Sequence, residues 1–173
     1  LEPDQPVSLA GEGLAEHVRA TEARIHPPRA VFCTAMEVTD QCLELAEQAF
    51  RAPAVDVYVT NEFGVIAWSC PVRRDLLHLN DDAFVLEVLD ADGRPVRPGE
   101  RGELVVTCLR VASLPLLRSR LGAMAAHVPG RCECGRGLGL MTRVLGRTAH
   151  VIRRPNGALI TTPLITTIFN RAG

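Results

Sequence analysis

Two cysteines that lie one residue apart are the residues of this sequence best suited to chemistry. Cys132 and Cys134 belong to the segment "CECGR". A C-x-C pair does not easily close a disulfide on itself, but its two thiolates can bind one metal ion. A structural zinc site needs four cysteine or histidine ligands. Upstream, "SCPVRRDLLHLN" contains Cys70 and His78. We therefore predict a zinc site made of these four residues, which ties together two distant parts of the chain.

The spacing alone leaves an alternative open. C-x-C is tighter than the usual C-x-x-C pair, and a free cysteine often behaves as a small buried hydrophobe. On that interpretation His78 is only a polar loop residue. Three further cysteines lie inside apolar strand or helix patterns, and for these we expect plain core positions. They are Cys33, Cys42 and Cys108.

The composition limits the classes of function. The chain has 173 residues, 47% of them hydrophobic, which suffices for about one domain with a real core. The net charge is −1 and no basic run occurs, so nucleic acid is a poor partner. No segment has the apolar length that spans a membrane, and the N-terminal residues do not resemble a signal peptide. Scattered cysteines in an aliphatic-rich chain favour reduced thiols in a cytoplasm.

All 19 basic residues counted as Lys+Arg are arginine. This bias, with abundant Ala, Gly and Pro, indicates a GC-rich bacterial source. It also excludes any mechanism that uses a lysine of this segment.

The elements that must position these residues form an α/β pattern. Amphipathic helices are predicted at 13–25 and at 39–50, the second with Thr39 as N-cap. Apolar runs predict strands within 27–38, at 54–59 and at 65–70. Alternation of helix and strand predicts a parallel sheet layer.

The second half of the chain has a different character. Residues 83–109 predict an antiparallel hairpin with a long polar connection that contains Asp92-Gly93. We expect three parts: an α/β part at 1–70, a β-rich part with the zinc site at 71–147, and a remnant of a hinge and C-terminal domain at 148–173.

Four segments, in order, resemble the motifs of adenylate-forming enzymes. "VYVTNEFGVIAWSC" is similar to their Y-G-x-T-E motif, and "LEVLDADGRPVRPGERGELVVT" is closely similar to their D-x-x-G…G-E-x-G-E-L hairpin. "PLLRSRLGA" resembles R-Y-x-x-G-D, and "VLGRTAHVI" resembles G-R-x-x-D. The C-x-C-G-R segment between the last two is typical of the phenylacetate–CoA ligase-like branch, which includes coenzyme F390 synthetase and capsule-related relatives. In that branch the cysteine pair is part of a structural zinc site. The resemblance implies a partial adenylate-forming fold, a parallel sheet layer with helices followed by an antiparallel, barrel-like β part.

The resemblance also implies an activity. Family members activate a carboxylic acid, here an aryl or similar acid, with ATP and Mg²⁺, and pass the acyl group from AMP to the thiol of coenzyme A or a carrier protein. By the match, Glu62 is the carboxylate on the magnesium side, and Asn61 faces phosphate. The other implied nucleotide contacts are Tyr58 at adenine, Arg147 at ribose or phosphate, and Arg118. The implied acid pocket is lined by Ala35, Phe63, Val65 and Ile66.

The departures from the family pattern concentrate on chemistry. The aspartate that holds both ribose hydroxyls is Ala123 here, and the aspartate of G-R-x-x-D is His150. Each lost hydrogen bond to a charged group costs about 1.5–3 kcal/mol. The family's phosphate-binding loop and its mobile domain with the catalytic lysine have no counterpart in this sequence. We therefore expect a fragment or degenerate relative, truncated at both ends and not active alone.

A second class of function stays open. The chain is then a non-catalytic pseudoenzyme module held by zinc, which binds a partner protein or a small acid. Missing neighbouring strands would expose an edge or an apolar face, so we expect a homo-oligomer or a complex with a partner protein.

Overall fold

The structure is a computed structural model, in which two compact units are distinguished, residues 1–77 and 78–173. The residues that it describes are 7–10, 13–21, 25–34, 38–110, 115–147, 152–153 and 159–160. The predicted three-part division of the chain, with boundaries after residues 70 and 147, stays a prediction. Within the described residues no helix is both long and apolar enough to cross a membrane.

The first unit is a helix-covered sheet. Its elements, in chain order, are β1 (Val7–Ala10), α1 (Gly13–Ala20), β2 (Val31–Thr34), α2 (Asp40–Phe50), β3 (Ala54–Thr60) and β4 (Gly64–Ser69). Strands β1, β2 and β3 are parallel neighbours in that order, whereas β4 is antiparallel to β3. The predicted parallel layer is thus confirmed for three strands, and its fourth strand returns as a hairpin.

Alternation along β2 explains how the helices pack. Val31 and Cys33 are buried in one cluster with Leu43 and Phe50 of α2, while Phe32 between them is 37% exposed. Successive side chains of a strand point to opposite faces, so the helices cover only one face of this strand.

Helix α2 begins as its sequence predicts. Thr39 has an extended backbone, and its hydroxyl accepts a hydrogen bond from the backbone N–H of Cys42 at 3.1 Å. This is an N-cap, which satisfies one of the unpaired N–H groups of the first turn. The predicted helix at 39–50 is therefore confirmed almost to the residue.

The second unit is an antiparallel meander. Its strands are β6 (Phe84–Leu89), β7 (Arg101–Cys108), β8 (Ser119–Val128), β9 (Leu140–Thr142), β10 (Leu145–Arg147), β11 (Ile152–Arg153) and β12 (Leu159–Ile160). The spatial order is β9, β8, β7, β6, with β10 also paired to β8, and β11 pairs separately with β12. Strands β6 and β7 are fully in register from Phe84↔Cys108 to Leu89↔Glu103, which confirms the predicted hairpin.

One short strand was not predicted from the sequence. Strand β5 (Leu76–Leu79) follows β4, and all four of its side chains are buried. His78 therefore lies in a strand, fully buried, and the interpretation of His78 as a polar loop residue is wrong.

The loop that leads from Cys70 to β5 is anchored by an ion pair. Arg74 donates through both terminal nitrogens to the Glu47 carboxylate of α2, at 3.2 and 2.5 Å. The same carboxylate accepts from the backbone N–H of Ala54 at the start of β3. Hydrogen bonding by Arg74 holds the pKa of Glu47 below its usual value. Glu47 thus joins α2, β3 and the loop that follows Cys70.

We predict that Glu47→Gln lowers stability in a pH-dependent way. A depressed carboxyl pKa contributes stability above the unfolded-state pKa, and this contribution is lost as the pH falls through the folded-state pKa. Because both side chains are partly exposed, we expect under about 1 kcal/mol at pH 7. Chemical unfolding of both proteins from pH 7 to pH 3 measures the difference.

Glu16→Gln, an exposed glutamate of α1, is the charge-matched control and should change stability less. A Glu47→Gln effect that stays constant down to pH 3 would contradict the role of the ionised carboxylate.

Candidate metal centre

Three cysteines and one histidine converge as the sequence predicted. The cluster, hereafter the Cys3His cluster, consists of Cys70, His78, Cys132 and Cys134, and its ligand atoms all lie within 4.8 Å of one another. The Cys134 sulfur is 3.2 Å from Nε2 of His78. Tetrahedral zinc with bonds of about 2.0–2.3 Å holds such ligand atoms at similar separations. The alternative of unrelated buried thiols is thereby disfavoured.

Each ligand is placed by a different local structure. Cys70 directly follows β4, and its N–H donates to the Leu76 carbonyl at 3.0 Å. His78 lies in β5. Cys132 and Cys134 lie in a tight turn before β9, which is closed by the Gly135 N–H donating to the Cys132 carbonyl at 3.1 Å. Gly135 has a φ of +82°, a conformation that side chains disfavour, so the glycine of C-x-C-G has a structural reason.

The four side chains of the cluster are largely shielded from water, as the ligands of a structural metal site usually are. Cys70 and His78 are fully buried, Cys132 is 7% exposed and Cys134 is half-buried. Nδ1 of His78 is buried and has no hydrogen-bond partner among the residues that the structure describes. A buried unpaired polar atom is costly. Nε2 of His78 lies 3.2 Å from the Cys134 sulfur, so the buried imidazole presents one ring nitrogen to the cysteines, as a metal-binding histidine does.

Hydrogen-bond donors and a positive charge lie next to two of the sulfurs. The backbone N–H groups of Val72 and Arg73 donate to the Cys70 sulfur at 3.4 and 3.3 Å. The Arg136 guanidinium lies 3.7 Å from the Cys134 sulfur. Donors and positive charge at these positions would stabilise the negative charge of metal-bound sulfur. The site therefore fits Zn²⁺ in its donor set, its burial and its electrostatics.

Two cysteines outside the cluster have the opposite character. Cys33 of β2 and Cys42 of α2 are buried in the core of the first unit. A hydrogen bond with the Cys42 side chain, together with burial, raises the pKa of Cys33 far above its usual value. Cys33 is thus held as a neutral thiol, which matches its expected role as a core residue.

The residues predicted from the Y-G-x-T-E resemblance lie on the β3–β4 hairpin. Tyr58 is half-buried on β3, whereas Asn61 and Glu62 are exposed at the turn. A hydrogen bond from the Phe63 N–H to the Thr60 hydroxyl at 3.2 Å shapes this turn. Glu62 is therefore accessible to solvent and to a bound ion, and its assignment to magnesium stays a prediction.

The predicted acid pocket is only partly described. Ala35 lies outside the described residues. Val65 is 42% exposed and its neighbour Ile66 is 1% exposed, because adjacent strand residues face opposite sides of the sheet. Phe63 is half-buried. A pocket lined by all four residues stays a prediction.

The other predicted nucleotide contacts lie in the second unit. Arg118, just before β8, has a φ of +44° and forms a two-point ion pair with Glu87 at 3.0 and 3.2 Å. Arg147 ends β10 directly opposite Ala123 of β8 in the strand register. The pairing thus brings the R-Y-x-x-G-D and G-R-x-x-D segments together, with Ala123 where the resemblance expects an aspartate.

A polar residue that sequence reasoning missed lies beside the metal centre. Asp81 accepts a hydrogen bond from the Gly139 N–H at 2.6 Å, next to the turn that holds Cys132 and Cys134. In the sequence, Asp81 is distinguished only by lying three residues after His78, and this spacing alone does not indicate a role.

We predict that purified protein contains about one zinc per chain, and that Cys134→Ser or His78→Asn removes most of it. Loss of one ligand leaves an incomplete tetrahedral site. Elemental analysis after gel filtration provides the measurement. Cys108→Ser, which alters a half-buried cysteine outside the cluster, is the matched control. A metal-free wild-type protein, or full zinc in Cys134→Ser, would exclude the site.

Comparison with known proteins finds coenzyme A ligases. No family model matches the chain. Curated phenylacetate–coenzyme A ligases from Pseudomonas putida and Escherichia coli are each 30% identical, over 60% and 61% of this chain. The matched region is 24% of either relative, so the chain spans about a quarter of their length.

Solved structures of acyl-CoA ligases share the fold. A 2-hydroxyisobutyryl-CoA ligase, solved with an acyl-AMP, superposes with a TM-score of 0.78 at 20% identity, over 96% of this chain and 37% of that one. O-succinylbenzoate coenzyme A synthetase from Bacillus subtilis, in complex with ATP and magnesium, gives 0.67 at 16% identity, over 95% of this chain and 36% of that one. The predicted resemblance to phenylacetate–CoA ligase-like enzymes is confirmed, and the chain has a partial adenylate-forming α/β fold.

Proposed function

We propose that this chain is a zinc-containing part, or a degenerate relative, of an ATP-dependent acid–CoA ligase that acts on an aryl or similar carboxylic acid. The register pair Ala123↔Arg147 carries the proposal. It joins two strands that, by the resemblance, flank the ribose of the adenylate. The ligase names of the relatives and the shared fold support the same conclusion.

In this proposal zinc has a structural role. Bound zinc crosslinks residues 70, 78, 132 and 134 and stabilises the loops that carry them. Because Cys70 and His78 bracket the loop before β5, and Cys132 and Cys134 precede β9, metal binding fixes the ends of several short strands. Six free thiols are compatible with a reducing compartment such as the cytoplasm.

The adenylate contacts are assigned by the resemblance. Glu62 faces Mg²⁺, Asn61 faces phosphate, and Tyr58 flanks adenine. Arg118 and Arg147 face the nucleotide. ATP with Mg²⁺ supplies the adenylate, and the thiol of coenzyme A or a carrier protein takes the acyl group.

The same contacts explain why this chain alone is a poor catalyst. Ala123 is 5% exposed and has no acceptor for a ribose hydroxyl. The Arg118 guanidinium is already paired with Glu87. No lysine occurs in the chain to stabilise the transferring groups. We therefore propose weak nucleotide binding and no turnover by this segment by itself.

We predict that Ala123→Asp strengthens ATP–Mg²⁺ binding by more than about tenfold, because a carboxylate regains hydrogen bonds to the ribose hydroxyls. Ala123→Asn, of equal size but uncharged, should give a smaller gain. Isothermal titration calorimetry of the three proteins measures the affinities.

Titration with 2′,3′-dideoxy-ATP provides the control, since a ribose-specific gain disappears with that nucleotide. An equal gain for both nucleotides, or none in the folded Ala123→Asp protein, would contradict the ribose assignment.

A second candidate is a non-catalytic zinc module that binds a partner protein or a small acid. The exposed Phe32, on the uncovered side of parallel β2, favours it. Parallel sheets are usually covered on both faces, so an exposed aromatic here is unusual. We propose that a second copy of the chain, or a partner protein, covers this face.

We predict that Phe32→Ser shifts the protein toward monomer in sedimentation velocity, because the substitution removes apolar contact area. Val85→Ser, which alters a 48% exposed valine of β6, is the control. A wild-type protein that is monomeric at all concentrations, with measurable though weak ATP–Mg²⁺ binding, would favour the ligase-related proposal over the module.

A further inference from the structure

The residues after His78 hold the far end of the loop that carries the cysteine pair. This loop, here called the cysteine loop, comprises residues 132–139. The Gly139 N–H donates to Oδ2 of Asp81 at 2.6 Å, and the Gly139 carbonyl accepts from the Leu79 N–H at 2.9 Å. The N–H and the carbonyl of Gly139 are thus both hydrogen-bonded to residues that closely follow His78 in the chain.

The approach leaves little room for a side chain. A Cβ atom on Gly139 would lie 3.0 Å from Oδ2 of Asp81 and 3.1 Å from Cδ1 of Leu79. These separations are shorter than ordinary van der Waals contact, so a substitution requires the Asp81 or Leu79 side chain to shift by a few tenths of an ångström and disturbs the hydrogen bond to Asp81. Close packing against Asp81 and Leu79 therefore favours glycine at this position, whatever its backbone angles.

Asp81 itself is placed by a turn. The Asn80 carbonyl accepts from the N–H groups of Ala83 and Phe84 at 3.0 and 3.1 Å. Asp81 lies inside this turn, between β5 and β6. Its carboxylate is exposed, yet its backbone is fixed relative to His78, which lies three residues earlier in the same strand and turn.

We propose that Asp81 is a positioning residue for the metal centre. By holding Gly139, it closes the cysteine loop so that Cys132 and Cys134 face His78 before the metal binds. A loop held in this way loses less conformational entropy when the metal binds. The inference rests on the proposed zinc site and adds a residue whose carboxylate holds the backbone of Gly139.

The chemistry of the contact supports a specific role. A carboxylate that accepts from a backbone N–H forms a charge-assisted hydrogen bond, which is stronger than a neutral one. The adjacent Asp82 offers a matched comparison. Its backbone carbonyl, rather than its side chain, accepts from Nε of Arg110 at 3.0 Å.

The experiment measures zinc affinity by competition with a chromophoric chelator for wild type, Asp81→Ala, Asp81→Asn and Asp82→Ala. We expect Asp81→Ala to raise the zinc Kd by about 10–100-fold, the range found for residues that orient metal ligands. Asp81→Asn keeps an acceptor of the same shape and should recover most of the affinity. Asp82→Ala should match wild type.

Two further measurements separate positioning from general stability. Cobalt(II) absorption reports whether three sulfurs and one nitrogen still bind, and Asp81→Ala should need more cobalt to reach the same spectrum. Gly139→Ala disturbs the same hydrogen bond at its donor residue and should also weaken zinc binding. Urea unfolding of the metal-free proteins should differ little between Asp81→Ala and Asp82→Ala.

The outcomes are distinct. Wild-type protein that binds neither zinc nor cobalt would overturn the metal centre and this inference with it. Wild-type protein that binds zinc, with an Asp81→Ala variant of equal Kd and equal cobalt titration, would overturn the role of Asp81 alone. A loss of affinity that Asp81→Asn does not recover at all would also contradict positioning by this hydrogen bond.

Discussion

The convergence of four side chains able to bind a metal is the constraint on which this part of the molecule depends. Three cysteine sulfurs and a buried imidazole lie within 4.8 Å of one another. Burial of such polar side chains is costly unless they are hydrogen-bonded or bind a cation. With a divalent cation the same group becomes a strong crosslink, and the bound unit carries a net charge of about −1. The N–H groups at Cys70 and the Arg136 guanidinium at Cys134 disperse that charge.

The local structure around the cluster follows from this requirement. Cys70 and Cys132–Cys134 occupy loops, where backbone N–H groups are free to point at sulfur, whereas His78 occupies a strand, where its ring is fixed and shielded. Glu47 and Arg74 hold the loop after Cys70. Asp81 and Gly139 hold the end of the cysteine loop. Ligands in loops are thus held by polar contacts a few residues away.

The β-rich unit shares the fold of solved coenzyme A ligases, and alanine stands where the resemblance leads us to expect a ribose-binding aspartate. The hairpin of β6 and β7 is regular, and β10 still pairs with β8 at Ala123. Pairing between strands uses backbone groups, so it depends little on side-chain identity. Ribose binding by a carboxylate requires an aspartate or glutamate side chain at that position. Replacement of an aspartate by alanine can therefore remove nucleotide contacts and leave the strand register intact.

The sequence by itself determined the elements whose causes are local. Helix α2 follows from its N-cap and apolar spacing, and the β6–β7 hairpin follows from two apolar runs around a turn-rich connection. Motif order was also enough to predict the ligase resemblance. Only the tertiary structure decided that His78 is a buried strand residue and that Phe32 faces away from the helices. The hydrogen bond from the Gly139 N–H to Asp81 was also decided only there. Each of these depends on segments distant in sequence, because burial and ligand convergence are properties of the packed chain and not of the spacing along it.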